Sequence, residues 1–75
     1  MKSVRDIFVE ALALKGQGLR PRQIADQVID MGHDNGFVEI NDRGSGGGGQ
    51  PDTIELTFPN GEVIYFDGSD WHHRR

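Results

Sequence analysis

The chain has 75 residues and a mass of 8.3 kDa, and 35% of its residues are hydrophobic. A chain of this length holds one small domain, residues 1–75, with a small hydrophobic core. Because the sequence contains no cysteine, it excludes a disulfide framework, a thiolate metal site and a cysteine nucleophile.

The hydropathy of the chain argues against a membrane location. Mean hydropathy is −0.57, and no apolar run approaches the roughly 18 residues that a membrane span requires. No pattern typical of a signal peptide follows Met1. We therefore expect a cytoplasmic protein that does not associate with membranes.

Charge is distributed unevenly along the sequence. The net charge is −4, yet residues 2–22 carry +3 and residues 23–73 carry −9. Proteins that bind nucleic acid through a broad basic face usually have a high isoelectric point, so a value near 5.1 makes nucleic acid the less favoured partner. The acidic part suits a basic protein partner, because complementary potentials speed the encounter of two proteins.

Two amphipathic helices are predicted in the N-terminal half. The first covers about residues 4–15, with Ser3 as its N-cap and Asp6 as the matching acidic residue of the first turn. The second begins at Pro21, whose fixed φ suits a first helical position, and ends at Gly32. The link between them is short, so the two helices should pack as neighbours.

Strands are predicted in the C-terminal half. A β-type run covers about residues 37–41. Polar and apolar residues then alternate over 53–58, a Pro-Asn-Gly turn follows, and a second run covers about 62–67. This pattern predicts a β-hairpin in which Glu55 and Tyr65 point away from the core.

The expected fold is α+β, with two N-terminal helices packed on one face of a small three-stranded antiparallel sheet that includes the C-terminal β-hairpin. The glycine-rich residues 44–50 should form a flexible loop, and the tail 69–75 should fray unless Trp71 docks. The predicted core comprises Ile7, Phe8, Ala11, Leu12, Ile24, Val28, Ile40, Ile54, Leu56, Phe58, Ile64 and Phe66.

No group of residues predicts catalysis. Ser69, Asp70 and His72 are the residue types of a catalytic triad, but near neighbours in a tail cannot aim at one another and at a substrate. No histidine pair has the helical spacing of a metal site, and the glycine stretch lacks the Lys-Ser/Thr of a phosphate loop. We expect no enzyme activity, no cofactor and no metal.

These features favour a small acidic regulator or inhibitor that binds another protein by contact. A homodimer is a further expectation, because an uncovered strand of so small a sheet could pair with a second copy. The competing expectation is a monomer in which acidic side chains repel that copy. The candidate partner-binding residues are Glu55, Glu62, Val63, Tyr65 and Trp71.

The alternative is a DNA-binding module. Two helices joined by a short link and followed by a hairpin resemble the opening and the wing of a winged helix-turn-helix domain. In this alternative, the candidate nucleic-acid-binding residues are Arg20, Arg22 and Gln23, together with the hairpin. The resemblance covers about half of the chain, and residues 33–50 lack the pattern of a third, recognition helix.

Overall fold

The computed structural model describes residues 3–33, 36, 38–44 and 51–75. Neither helix in this part of the chain is long and apolar enough to cross a membrane. Two helices precede four strands: α1 (Val4–Gly16), α2 (Pro21–Gly32), β1 (Glu39–Gly44), β2 (Pro51–Thr57), β3 (Val63–Phe66) and β4 (Trp71–Arg74).

Local hydrogen bonds define where both helices begin. Ser3 Oγ accepts a hydrogen bond from the backbone N–H of Asp6 at 3.1 Å, which satisfies one free donor at the start of α1. At the start of α2, the backbone N–H of Arg20 donates to Gln23 Oε1 at 2.9 Å, and Pro21 takes the first helical position. The predicted helices are confirmed.

The four strands form one antiparallel sheet in the order β1-β2-β3-β4, so each strand pairs with its neighbour in sequence. Ile40 lies opposite Leu56, and Leu56 lies opposite Ile64. These side chains share one face of the sheet, and both helices pack on that face: α1 contacts β4, and α2 contacts β2. The α+β fold is confirmed.

The number of strands is four rather than the predicted three, and the additional strand is the tail that was expected to fray. Trp71 docks: its side chain is buried in the core, with its ring centroid 5.5 Å from that of Phe66. The preceding turn is fixed by Asp67, whose Oδ1 accepts hydrogen bonds from the backbone N–H groups of Ser69 and Asp70, both at 2.8 Å. Strand β4 therefore extends the sheet beyond the hairpin.

The predicted core is correct in the sheet centre and wrong at two margins. Leu12 and Ile40 are 40% and 41% exposed. Leu12 lies at the outer margin of α1, and Ile40 lies on β1, which neither helix fully covers. Phe8 is only partly buried, against the edge of the core. The buried apolar residues that the prediction omitted are Val4, Ala25, Val38, Val63 and Trp71.

The glycine-rich loop predicted over residues 44–50 lies almost wholly outside the described residues. Only Gly44 is described, as the last residue of β1. The prediction for this loop therefore stays a prediction.

Gly32 is a point of tight packing at the end of α2. A Cβ at this position would lie 2.7 Å from Phe58 Cε2 and 3.0 Å from Val38 Cγ2. We expect Gly32→Ala to destabilise the fold by about 1–3 kcal/mol, because buried neighbours would have to shift. Chemical denaturation measures this loss.

The matched control is Gly16→Ala at the end of α1, where an added Cβ meets nothing within 4 Å. This variant should be as stable as the parent chain or more stable by up to about 1 kcal/mol. Equal effects of the two substitutions would contradict the packing described for Gly32.

Candidate functional site

The helices leave the other face of the sheet uncovered, and we call it the open face. The strand register sets two rows of side chains that cross all four strands of this face, and Thr53 on β2 lies on the same face. The first row is Glu39, Thr57, Val63 and Arg74, and the second row is Asn41, Glu55, Tyr65 and His72.

Tyr65 lies at the centre of the open face. Its ring centroid is 5.1 Å from that of His72 on β4. Arg74 Cζ lies 5.5 Å from the centroid of the same ring, a distance typical of a cation–π contact. Arg74 Nη2 also lies 3.7 Å from Glu55 Oε2. The Tyr65 ring is therefore already in contact with one guanidinium group, that of Arg74.

A groove of about 450 Å³ runs beside Tyr65. Asn41 and Thr53 contribute neutral polar groups to its lining. Among the described residues, its charged lining side chains are the carboxylates of Glu55 and Asp67 and the guanidinium of Arg74. Because carboxylates outnumber cations in this described part of the lining, it favours a positively charged group.

The carboxylate of Asp67 is strongly held in its ionised form. Hydrogen bonds from the backbone N–H groups of Asp70 and Ser69 lower its pKa from 3.8 to about 2, and His72, whose Nε2 lies 2.7 Å from Asp67 Oδ2, acts in the same direction. Two other carboxyl groups also have a lowered pKa. The side-chain amide of Asn60 lowers that of Glu62, and Lys15 lowers that of Asp70.

These shifts predict a loss of stability in acid. A carboxyl whose pKa is lower in the folded state stabilises the fold at every pH above its unfolded pKa, and this contribution disappears as the pH falls through the folded value. We therefore expect the Tm to be constant above about pH 5 and to fall between about pH 4 and pH 2. Thermal melts at constant ionic strength measure this fall.

Asp67→Asn tests the contribution of Asp67 to that fall. Its side-chain oxygen can still accept the two turn hydrogen bonds, but it carries no charge that protonation could remove. The fall of Tm below about pH 4 should therefore be shallower for Asp67→Asn than for the parent chain. An identical acid profile for the two proteins would contradict the role given to this carboxylate.

The structure brings together three of the five predicted contact residues. Glu55 and Tyr65 are direct cross-strand neighbours on the open face, and Val63 lies on the same face but is buried. Trp71 is not an exposed contact residue, because its side chain belongs to the core. Glu62 lies away from the open face, with its Oε1 3.0 Å from His73 Nε2.

The three residues of the DNA-binding alternative have other contacts. Arg22 Nη1 donates a hydrogen bond to Asp42 Oδ2 on β1, and the side chain of Gln23 caps α2. Arg20 is exposed. The hairpin of β2 and β3 lies in the middle of the sheet, flanked by β1 and β4, so it does not project as a wing.

Sequence reasoning missed His72 and Arg74, because both lie on the strand that was predicted to fray. The signal was the sequence Asp67-Gly68-Ser69-Asp70, which has the composition of a turn and is followed directly by an aromatic residue. A turn after one hairpin strand predicts a further antiparallel strand. That strand would have placed His72 beside Tyr65.

Comparison of the chain with protein-family models, with curated proteins and with solved structures gave no match. Within the described residues, no three histidine, aspartate or glutamate side chains come together in a way that could hold a metal ion.

Proposed function

We propose that the protein is a non-enzymatic regulator that binds a basic segment of a partner protein on the open face. The observation that carries this proposal is that the helices cover only one face of the sheet, while the other presents an aromatic ring beside a groove whose described lining has more carboxylates than cations. A partner's lysine or arginine fits this arrangement, because both the ring and the carboxylates attract a cation.

The charge of the open face supports a basic partner. Asp67 stays ionised at neutral pH because its pKa is about 2. Among the described residues, Glu55 has one guanidinium neighbour, Arg74, at 3.7 Å, and its carboxylate has further acceptor positions for a second cation. The net charge of −4 acts in the same direction at longer range, because it speeds the encounter with a cationic surface.

The rigidity of the open face supports contact as the mode of action. Its residues lie on strands, which hold side chains in more fixed positions than loops do. Val63 and Tyr65 are anchored on β3, a central strand that pairs on both sides. Such a face is ordered before a partner arrives, so binding would require little ordering of the chain.

Site-specific photo-crosslinking in the source cell tests the proposal. A photoreactive residue is placed at Thr53, beside the groove, or at Gln27, an exposed position on α2. We expect the Thr53 probe to capture a protein with a basic contact segment, and the Gln27 probe not to capture it. Added salt should weaken this capture, because it screens charge attraction.

A second variant separates the groove from the rest of the surface. Glu55→Gln keeps the size and the hydrogen-bonding capacity of the side chain but removes its charge, so it should reduce capture from position 53. Capture that is the same from both probes, or that is unchanged by Glu55→Gln, would contradict binding of a basic segment at the groove. If the start of α2, near Arg20, captured nucleic acid with a steep dependence on salt, DNA binding would be favoured instead.

A further inference from the structure

The two outer strands of the sheet, β1 and β4, have opposite charge. Strand β1 carries the exposed acidic residue Glu39, and β4 ends in Arg74, which Arg75 follows. Within the described residues, neither strand pairs with another on its outer side. Each therefore presents a row of backbone hydrogen-bonding groups to its surroundings.

Hydrogen bonding identifies which backbone groups of β4 point outward. The N–H of Asp67 donates to the carbonyl of Asp70 at 3.0 Å. Because hydrogen-bonded pairs alternate along an antiparallel ladder, His72 bonds with Tyr65 and does not bond outward. The backbone groups of Trp71 and His73 therefore point to the free edge.

The same argument applies to β1. The N–H of Phe58 donates to the carbonyl of Glu62 at 2.9 Å, so alternate residues of β2, beginning with Leu56, bond to β3. Glu55 then bonds to β1, through Asn41. The backbone groups of Ile40 therefore point to the other free edge.

We infer that β4 of one copy pairs with β1 of a second copy, so that the sheet continues from one molecule to the next with the helices on one side. The direction of the strands permits this. Neighbouring strands alternate in direction across the four-stranded sheet, so β1 and β4 run in opposite directions. If a second copy is placed beside the first in the same orientation, its β1 therefore lies antiparallel to β4 of the first copy.

The side chains match in the register that sets His73 opposite the partner's Ile40. Arg74 then lies directly opposite the partner's Glu39, and both side chains lie on the open face. Pairing of β4 with β4 or of β1 with β1 would not form this pair between Arg74 and Glu39. Head-to-tail pairing is therefore the arrangement that joins Arg74 to Glu39 of a second copy.

The exposed apolar side chains support the same arrangement. Ile40 is 41% exposed and lies on the helix side of β1. On the other edge, Leu12 is 40% exposed. Phe8 contacts His73 and Lys15 bonds to Asp70, so the spacing of residues 8, 12 and 15 places Leu12 on the β4 side of α1. Head-to-tail pairing brings the partner's Ile40 toward Leu12 and removes both from water.

The interface is small, because β4 has four residues. Interfaces that bury less than about 1,200 Å² are weak and transient. Head-to-tail pairing through two different edges also does not close on itself as a two-fold dimer does. The expected behaviour is weak association whose average mass increases with concentration and does not stop at two copies.

Sedimentation equilibrium over a hundredfold concentration range, up to about 1 mM, tests the inference at the concentrations that weak interfaces require. We expect a mass of 8.3 kDa at the lowest concentration and an increase at the highest. Glu39→Arg and Arg74→Glu should each reduce the association constant at least about tenfold, because each sets like charges opposite one another.

Charge exchange gives the decisive readout. An equimolar mixture of the two single variants, or the double variant, should recover association, because each restores an opposite-charge pair. Asp26→Arg and Arg20→Glu make the same changes in charge at exposed positions on and beside α2, and they should leave association unchanged. Circular dichroism checks that each variant folds.

If Arg74→Glu fails to fold, Ile40→Lys replaces it in the test, because this side chain is exposed in a single copy and its substitution should leave the fold intact. Three results would overturn the inference. These are a constant mass of one copy, a plateau at two copies, and an association that charge exchange does not restore.

Discussion

Leu56→Asp should leave the chain unfolded at 25 °C. Leu56 is fully buried in the central strand β2, opposite Ile40 and Ile64. A carboxylate at this position would have no partner and would cost several kcal/mol. The whole free energy of unfolding of a chain of this length is about 4–11 kcal/mol, so one such cost removes most or all of it.

Thr57→Asp is the matched control, because Thr57 is the next residue of the same strand and its side chain lies on the open face. The two variants add the same charge to the same strand. Far-ultraviolet circular dichroism with thermal melting should show a folded protein for Thr57→Asp and no cooperative transition for Leu56→Asp. If Leu56→Asp melted as the parent chain does, the assignment of the two faces of β2 would be wrong.

Trp71→Ala should remove about 3–5 kcal/mol of stability, the range found for large aromatic residues in protein cores. Trp71 is buried against Phe66, and it is the residue that docks β4 on the helices. His72→Ala is the control on the opposite face of the same strand, where His72 is only partly buried. It should cost less than about 1 kcal/mol, because the contact that it removes, between the side chains of His72 and Asp67, is exposed.

Chemical denaturation measures both variants, and hydrogen exchange shows where stability is lost. In Trp71→Ala, the amides of β4 should lose protection before those of β2, because β4 is an edge strand that depends on this side chain. Equal stability of the two variants would contradict the role of Trp71 in docking β4.

The parts of the fold that the sequence predicts are those with local signals. Ser3 and Pro21 define where the helices begin through capping and backbone preference, and these residues act within one turn of the chain. The alternation over 53–58 predicts the hairpin, because a strand with one buried face has a period of two. It also predicts that Glu55 and Tyr65 share a face, which the register confirms.

The parts that sequence reasoning missed depend on distant contacts. Trp71-His72-His73-Arg74 shows no alternation of polar and apolar types, and it forms a strand because Trp71 is buried in the core beside Phe66. The exposure of Ile40 likewise depends on how far the helices extend over the sheet, which no local pattern contains. Because His72 and Arg74 lie on the missed strand, the sequence predicted only half of the open face.

The hydrogen bond between Lys15 and Asp70, 2.6 Å long, joins positions 55 residues apart in the chain. Most other pairings are local, since α1 packs on α2 and each strand pairs with the next. Chains dominated by local contacts fold quickly, because little loop entropy is lost before contacts form. The Lys15–Asp70 contact can form only when the helical pair meets the completed sheet. A contact that is absent from the folding transition state affects only the unfolding rate. Weakening the Lys15–Asp70 contact should therefore accelerate unfolding and leave the folding rate nearly unchanged.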